Sequence, residues 1–511
     1  MKRISLTLLV LLLTVLAVSA QYTVRWMQLL DSSSGTYARG EDLIVTAQGR
    51  LCINGVVATP GLLGGVIVNY DTAGVELWRN QFGGVVTAEA WRLFLTPSDQ
   101  WITAGFYEDE SGTNDIYYTA YAQNGDSVSG GEQASAGFAA SDDLSDAAID
   151  TRGNVYLGGR GIYPYAQATI TRTDTGGFFR WTSEVPYFNG SSNTVKGIEM
   201  AGDARIVSTV LNTTGYGTIA CHDSVGNLLW RTDSLLYAPE YHTSLATDAF
   251  GNAVAGGRYL GGYRVVKLNT LTGDTIWTRY LAHPGVPGSY GTIQHVLTDA
   301  AGSIYAVGTS NTHVLIAKLS TAGTVLWTDT LPPWSGGLYS RNAEYVHLQD
   351  DLLTIALPGF NSRLYQYDLD GARLMDTPFS LPGLYYPEIS AMQYFDGDLY
   401  ITGSSNADSG GGGAERRGFT AKLGMQSVPT GVQQVSTATP VMLYPDPADN
   451  LIYLPGYKGT SVTVCDMTGR LCLQQNIDGG AVDISSLPAG TYLVMPDRTN
   501  KWKQAGRFIK R

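Results

Sequence analysis

Short apolar runs with alternating pattern, each closed by a turn rich in Asp and Gly, recur along most of the chain, as in "DTRGNVYLGGR" and "KLNTLTGDTIWTRYL". Alternation with a period of two predicts half-buried strands, and an Asp- and Gly-containing turn between two such runs predicts a tight antiparallel connection. The turn glycines fall at Gly74, Gly125, Gly176, Gly226, Gly273, Gly323 and Gly371, with spacings of 51, 51, 50, 47, 50 and 48 residues. Trp78, Trp181, Trp230, Trp277 and Trp327 follow at a near-constant offset. A second signature, seen in "DAFGNAVAGGR", "DAAGSIYAVGT" and "YFDGDLYITGS", marks an earlier turn of the unit. Each unit reads as strand, tight turn, strand, variable loop, strand, tight turn and a last strand carrying Trp.

Four short antiparallel strands in under about fifty residues is the period of a propeller blade. The last unit breaks the pattern: "ISAMQYFDGDLYITGSS" and "GFTAKL" supply three strands and no Trp strand follows Leu423. At the other end "YTVRWMQLL", from Tyr22 to Leu30, is a lone strand of the missing kind. The N-terminal strand is therefore expected to complete the last blade, which leaves no open sheet edge. The fold expected is all-β: an eight-bladed β-propeller over 21–423, with seven blades as the fallback if the weak second unit is miscounted.

After Leu423 the stretch "GMQSVPTGVQQVSTATP" loses the apolar period and reads as a linker, 424–440. Four further short alternating runs follow, with turns at Gly469 and Gly490, enough for a small Ig-like β-sandwich over 441–511.

Composition narrows the class. Only 15% of the 511 residues are charged, against 61 Gly and 31 Tyr, a balance that suits turns and half-buried strands. The net charge of -12 argues against a nucleic-acid partner, which needs clustered Lys and Arg. Lys2, Arg3, the apolar run "ISLTLLVLLLTVLAV" and the small residues Val18 and Ala20 before Gln21 read as a signal peptide, 1–20. No transmembrane span is expected in the mature chain, and Gln21 stands where a lipoprotein would carry Cys. Four cysteines are too few for a disulfide scaffold. Cys52 and Cys221 read as buried small apolar residues, while a bridge between Cys465 and Cys472 stays open on spacing alone.

The "D..GN.Y..G" half of the unit resembles the secreted bacterial β-propeller repeat. The "D..G...W" half is similar to blades of pyrroloquinoline-quinone dehydrogenases and of outer-membrane assembly propellers. The quinone enzymes carry an adjacent Cys pair and this chain has none, so no cofactor is expected and the tryptophans read as packing between blades. In the C-terminal module "YPDPADNLI", "VCDMTGRL", "DISSLPAGTYLV" and "RFIKR", with Tyr444, Pro445, Pro447, Asp466, Gly469, Leu487, Gly490, Tyr492 and Lys510, resemble the type A C-terminal sorting domain of the type IX secretion system of Bacteroidota. Asp446 stands where that family usually has Asn. The resemblance implies Sec-dependent export, the type IX machinery as a partner, passage through the outer membrane, and then release or attachment at the cell surface.

The connections between the second and third strands and between blades share one face and are rich in aromatics. Tyr163, Tyr165, Tyr187, Tyr237, Tyr241, Tyr290, Trp334, Tyr339, Tyr385 and Tyr386 are the candidate rim of a binding site for a glycan or protein. Catalytic signals are weak: His222, His242, His283, His295, His313 and His347 show no metal-ligand spacing, and no nucleophile motif appears, so no catalytic or metal-binding residue is assigned. Asp142, Asp143, Asp146 and Asp150 read as a solvated turn. The expectation is a monomeric, secreted or cell-surface binding protein rather than an enzyme. A propeller hydrolase or lyase with its site at the channel mouth is the alternative.

Overall fold

The computed structural model describes residues 22–511 apart from 31–36, 60–61, 83–86, 109–113, 134–142, 163–165, 187–192, 238–243, 260–261, 282–290, 311–312, 332–344, 350, 359–361, 407–415, 426–442, 446, 455–459, 467–470, 478–479 and 498–505. The proposed signal peptide and most of the linker lie outside the described residues. Every regular element described is a β-strand. The chain divides into two compact units, Met1–Gln426 and Ser427–Arg511.

The first unit is a β-propeller, built from eight four-stranded antiparallel groups among the described residues. The first runs Ala38–Val45, Leu51–Thr59, Leu62–Tyr70, Glu76–Phe82, each strand pairing with the next. Single residue pairs, Leu63 with Thr87 and Tyr237 with Arg258, link two neighbouring couples of sheets. In the last group the N-terminal strand Tyr22–Leu29 pairs antiparallel with Arg416–Met425, as the lone sequence segment predicts. The innermost strands touch in succession, and Ala38–Val45 of the first group also packs on Tyr385–Phe395 of the last. Gln393 seals that junction by accepting the Val45 N–H at 2.7 Å through Oε1.

Turn chemistry explains why the units form. Asp71, Asp174, Asp223, Asp248, Asp299 and Asp368 each accept the backbone N–H groups two and four residues on. These side chains satisfy the donors a tight turn would otherwise leave unpaired. The glycine three places after Asp71 or Asp223 needs a positive φ, 81° at Gly74 and 95° at Gly226. One expected turn glycine is corrected: in the third unit Gly177, with φ of 78°, takes this place and not Gly176, because the turn counts from Asp174.

The tryptophans join neighbouring sheets. Trp26, Trp78, Trp181, Trp230, Trp277 and Trp327 lie against the turn glycine of the following sheet. Each indole N–H donates to a carbonyl of that same turn: Thr72, Gln123, Ser224, Thr270, Thr321 and Leu369, at 2.9–3.2 Å. Three cationic residues paired with Trp grip the same carbonyl, Arg172, Lys267 and Lys318 on Ser224, Thr321 and Leu369, whereas Lys422, paired with Trp26, turns to Asp398 at 3.0 Å. The seventh sheet carries buried Met375 in place of Trp. Its neighbour is completed by the N-terminal strand, so no hairpin turn joins the third and fourth strands there and a Trp would have nothing to cap.

The second unit holds a four-stranded antiparallel sheet, Leu471–Ile477, Thr460–Asp466, Gly490–Asp497, Gly506–Lys510, and a two-stranded one, Leu451–Tyr453 with Ala481–Asp483. Ile452, Val462, Val464, Val482, Val494 and Phe508 from both sheets are fully buried in one core.

Candidate functional site

The innermost strand of most sheets carries one extra residue, as between Gly40 and Asp42, Ala90 and Arg92, Leu144 and Asp146, and Val195 and Gly197. Such a bulge re-aims side chains, and here it sets charged groups where the sheets converge on the central axis. Asp42 accepts the Leu93 N–H of the next sheet at 3.0 Å, and Asp146 accepts that of Ile198 at 3.0 Å. Ser244 repeats the arrangement on Val296 at 2.7 Å. Between the two aspartates, Arg92 Nε lies 2.7 Å from Asp146 Oδ1.

Around this pair the carboxyl groups are crowded. Burial pushes the Glu41 carboxyl up to about 7, with Arg39, 3.1 Å away, drawing it back and the Glu89 charge adding to the rise. Burial and then the Asp146 charge push Glu199 up to about 8, against the pull of Arg92. Asp42 is also raised by burial, and the Asp146 carboxylate holds the Arg92 guanidinium well above its usual range. Tyr345 joins from the seventh sheet, its hydroxyl pushed up to about 12 by burial. Four consecutive inner strands thus bring Glu41, Asp42, Asp146 and Glu199 around one arginine, Arg92, with two of these carboxyls raised toward neutrality, the range a general acid or base needs.

Sequence reading missed most of this set. Asp146 and Asp150 are not in a solvated turn: Asp146 pairs with Arg92, and Asp150, 4 % exposed, holds Asn154 and Arg152 in its turn. Asp142 lies outside the described residues. The signal available was a polar residue recurring about one unit apart on the strand before each "D..G" turn, since each staple spans 51 or 52 residues. His222 is fully buried, and desolvation lowers its ring to about 4. No group of three or more His, Cys, Asp or Glu set to hold a metal occurs among the described residues.

Of the aromatic rim, Tyr163, Tyr165, Tyr187, Tyr241, Tyr290, Trp334 and Tyr339 lie outside the described residues. The backbone of Tyr237 pairs with Tyr216 and Arg258. Tyr385 and Tyr386 open the innermost strand of the last sheet. Tyr385 is 44 % exposed, and Tyr386 adopts φ of 55°, a left-handed conformation rare for an aromatic residue. Two buried hydroxyls hold this irregular backbone: Ser405 Oγ donates to the Tyr385 carbonyl at 2.6 Å and Ser362 Oγ to that of Pro387 at 2.9 Å.

The sorting-motif residues build the second unit. Tyr444 stacks on Tyr453 at 5.6 Å and exchanges backbone hydrogen bonds with it, and the Tyr444–Pro445 peptide is cis. Pro447 is exposed beside Ala448, which brackets the C-terminal strand by donating to Ile509 and accepting from Arg511. Leu487 is buried in the core, Asp466 pairs with Tyr492, and Gly490 pairs with Lys510. Tyr492 packs on Phe508 and donates to the Pro488 carbonyl at 2.9 Å. Gly469 and Asp446 lie outside the described residues.

No curated protein sequence matches the chain. Among solved structures, Sqt1 from Chaetomium thermophilum is similar at 11% identity and a TM-score of 0.51, over 79% of this chain and 99% of that one, which bears on the fold alone. The Dos1 propeller matches at 10% identity and a TM-score of 0.48, over 79% of this chain and 95% of that one. PorZ of Porphyromonas gingivalis, a surface component of its type IX secretion system, matches at 15% identity and a TM-score of 0.37, over 92% and 74%. Residues 442–511 match the secretion system C-terminal sorting domain family. The second unit is thus a sorting domain of that family, and it directs the propeller through type IX secretion to the cell surface or the medium.

Proposed function

We propose that the chain is an exported recognition protein, an eight-bladed propeller that binds a glycan or a protein on the face of the long connections. The observation that carries this reading is the pair Tyr385 and Tyr386. A left-handed aromatic residue costs of order 1–3 kcal/mol, and this one is held by two buried serines beside an exposed tyrosine. Strain of this kind is retained where presentation of a side chain outweighs stability. The blade count rests on eight four-stranded groups whose inner strands touch in succession. In this reading residues 1–20 are a signal peptide, 21–423 the propeller, 424–440 a linker and 441–511 an Ig-like sandwich. The mature protein is a monomer, released or surface-attached once the sorting domain has been removed.

A second reading, a hydrolase or lyase acting at the channel mouth, is favoured by Glu41 and Glu199, whose carboxyls burial raises to about 7 and about 8 near the Arg92–Asp146 pair. One set of experiments separates the two. Glycan and surface-protein binding screens are run on the wild type and on Tyr385→Ala, and polysaccharide turnover is followed on the wild type, Glu199→Gln and Tyr385→Ala. Recognition predicts saturable binding weakened about 10-fold by Tyr385→Ala, equivalent to about 1.4 kcal/mol. Turnover abolished by Glu199→Gln and indifferent to Tyr385→Ala would replace it with the second reading.

A further inference from the structure

We propose that Cys465 and Cys472 form a cross-strand disulfide in the exported chain, a covalent modification site within the sorting domain. The pairing of Thr460–Asp466 with Leu471–Ile477 carries the argument. Val464 pairs with Leu473, and both side chains pack into the core between the two sheets. Side chains alternate along a strand, so Cys465, one place after Val464, and Cys472, one place before Leu473, both turn to the opposite, outer face. The register then shifts between Val464 and Cys465, which puts Cys472 into the ladder as the extra residue beside Cys465. The two thiols are cross-strand neighbours on one face.

Their accessibility sets the order of events. Cys472 is exposed, whereas Cys465 is 7 % exposed and is reached through its neighbour. Burial first, then the charges of Cys472 and Asp466, hold the Cys465 thiol above its ordinary range, which suits it to attack second. Export carries the pair into an oxidising compartment. The Cys472 thiolate attacks one sulfur of a protein or small-molecule disulfide and expels the other as a thiol. The Cys465 thiolate then attacks the Cys472 sulfur and expels the second thiol, so two protons and two electrons pass to the oxidant, which leaves as two thiols. Cys52 and Cys221 are fully buried in separate sheets of the propeller and keep their thiols. The bridge ties the strand that meets both of its neighbours in the sheet to the edge strand beside it.

The test uses the full-length chain, equilibrated with oxidised glutathione, denatured, alkylated with N-ethylmaleimide and digested with trypsin. Cleavage after Arg470 separates the two cysteines into peptides 459–470 and 471–498. The expected result is that these peptides travel as one species that splits on reduction, with Cys52 and Cys221 alkylated. Recovery of Cys465 and Cys472 as alkylated thiols, or of glutathione retained on wild-type Cys472, overturns the proposal. In Cys465→Ser the second step is blocked, and glutathione is expected to remain on Cys472 as a reducible mass gain. Absence of that adduct would remove Cys472 as the entry thiol and the proposal with it.

Discussion

Lys267 Nζ lies 2.6 Å from Asp248 Oδ2, with the two side chains 3 % and 0 % exposed, and the same ammonium reaches the Thr321 carbonyl of the next sheet at 3.0 Å. In the third and sixth sheets a tyrosine hydroxyl donates to the equivalent aspartate: Tyr156 to Asp150 and Tyr305 to Asp299. The fifth sheet has Val254 at that place, and the lysine answers the aspartate directly. Removing one partner strands a buried charge. Lys267→Met is expected to destabilise the propeller by about 3–5 kcal/mol, read from denaturant unfolding. Asp248→Asn in the same background is expected to recover part of the loss; a loss unchanged in the double variant would refute the pairing account.

Trp26 belongs to the closing strand, and its ring lies where a Cβ on Gly74 would sit 2.6 Å away. Trp26→Ala removes both the ring contact and the hydrogen bond to Thr72, with an expected destabilisation of about 3 kcal/mol. Limited proteolysis is expected to cut first at the N-terminal strand of this variant. Gly74→Val adds a clash to a strained φ of 81° and is expected to open the same seam. An unchanged cleavage pattern in both variants would mean that this strand does not hold the ring closed.

The buried inner-strand carboxyls of Glu41 and Glu199 and the His222 ring give opposite pH dependences. Glu41 and Glu199 keep their protons in the folded chain up to about 7 and about 8, against 4.5 when free. The folded state binds more protons in that window, so the stability these groups contribute is complete below about 4.5 and is lost as pH rises to 7–8. His222 stays neutral down to about 4, against 6.5 when free, so its contribution is present above about 6.5 and is lost as pH falls to 4. Denaturation midpoints measured from pH 4 to 9 are expected to fall on both sides of a mildly acidic maximum. Glu199→Gln is expected to flatten the alkaline limb only; an unaltered limb would exclude Glu199 as its source.

Tyr386→Gly relieves the left-handed conformation and is expected to raise stability by about 1 kcal/mol. The same change is expected to weaken ligand binding, because it deletes one ring and loosens its neighbour Tyr385. A variant both more stable and equally competent in binding would contradict the presentation role.

Much of the fold was legible because its causes are local. The Asp that accepts two N–H groups, the glycine with positive φ and the period-two alternation all lie within a few residues of one another. The incomplete last unit and the lone strand around Trp26 told together how the ring closes. Where the local signal was degenerate, reading slipped: "DTGG" offers two glycines, and only the hydrogen bonds to Asp174 select Gly177.

The sequence by itself therefore determined the repeat, its strands and turns and the sorting module, each specified within a short stretch, and also the closing strand, because the element missing from the last unit is the one that stands alone at the N-terminus. Only the tertiary structure decided which charged groups meet. Asp42, Arg92, Asp146 and Glu199 come from four different units, and their proximity depends on how successive sheets are set about the axis and where each inner strand bulges. Burial at that meeting point, which no local pattern encodes, is what raises Glu41 and Glu199.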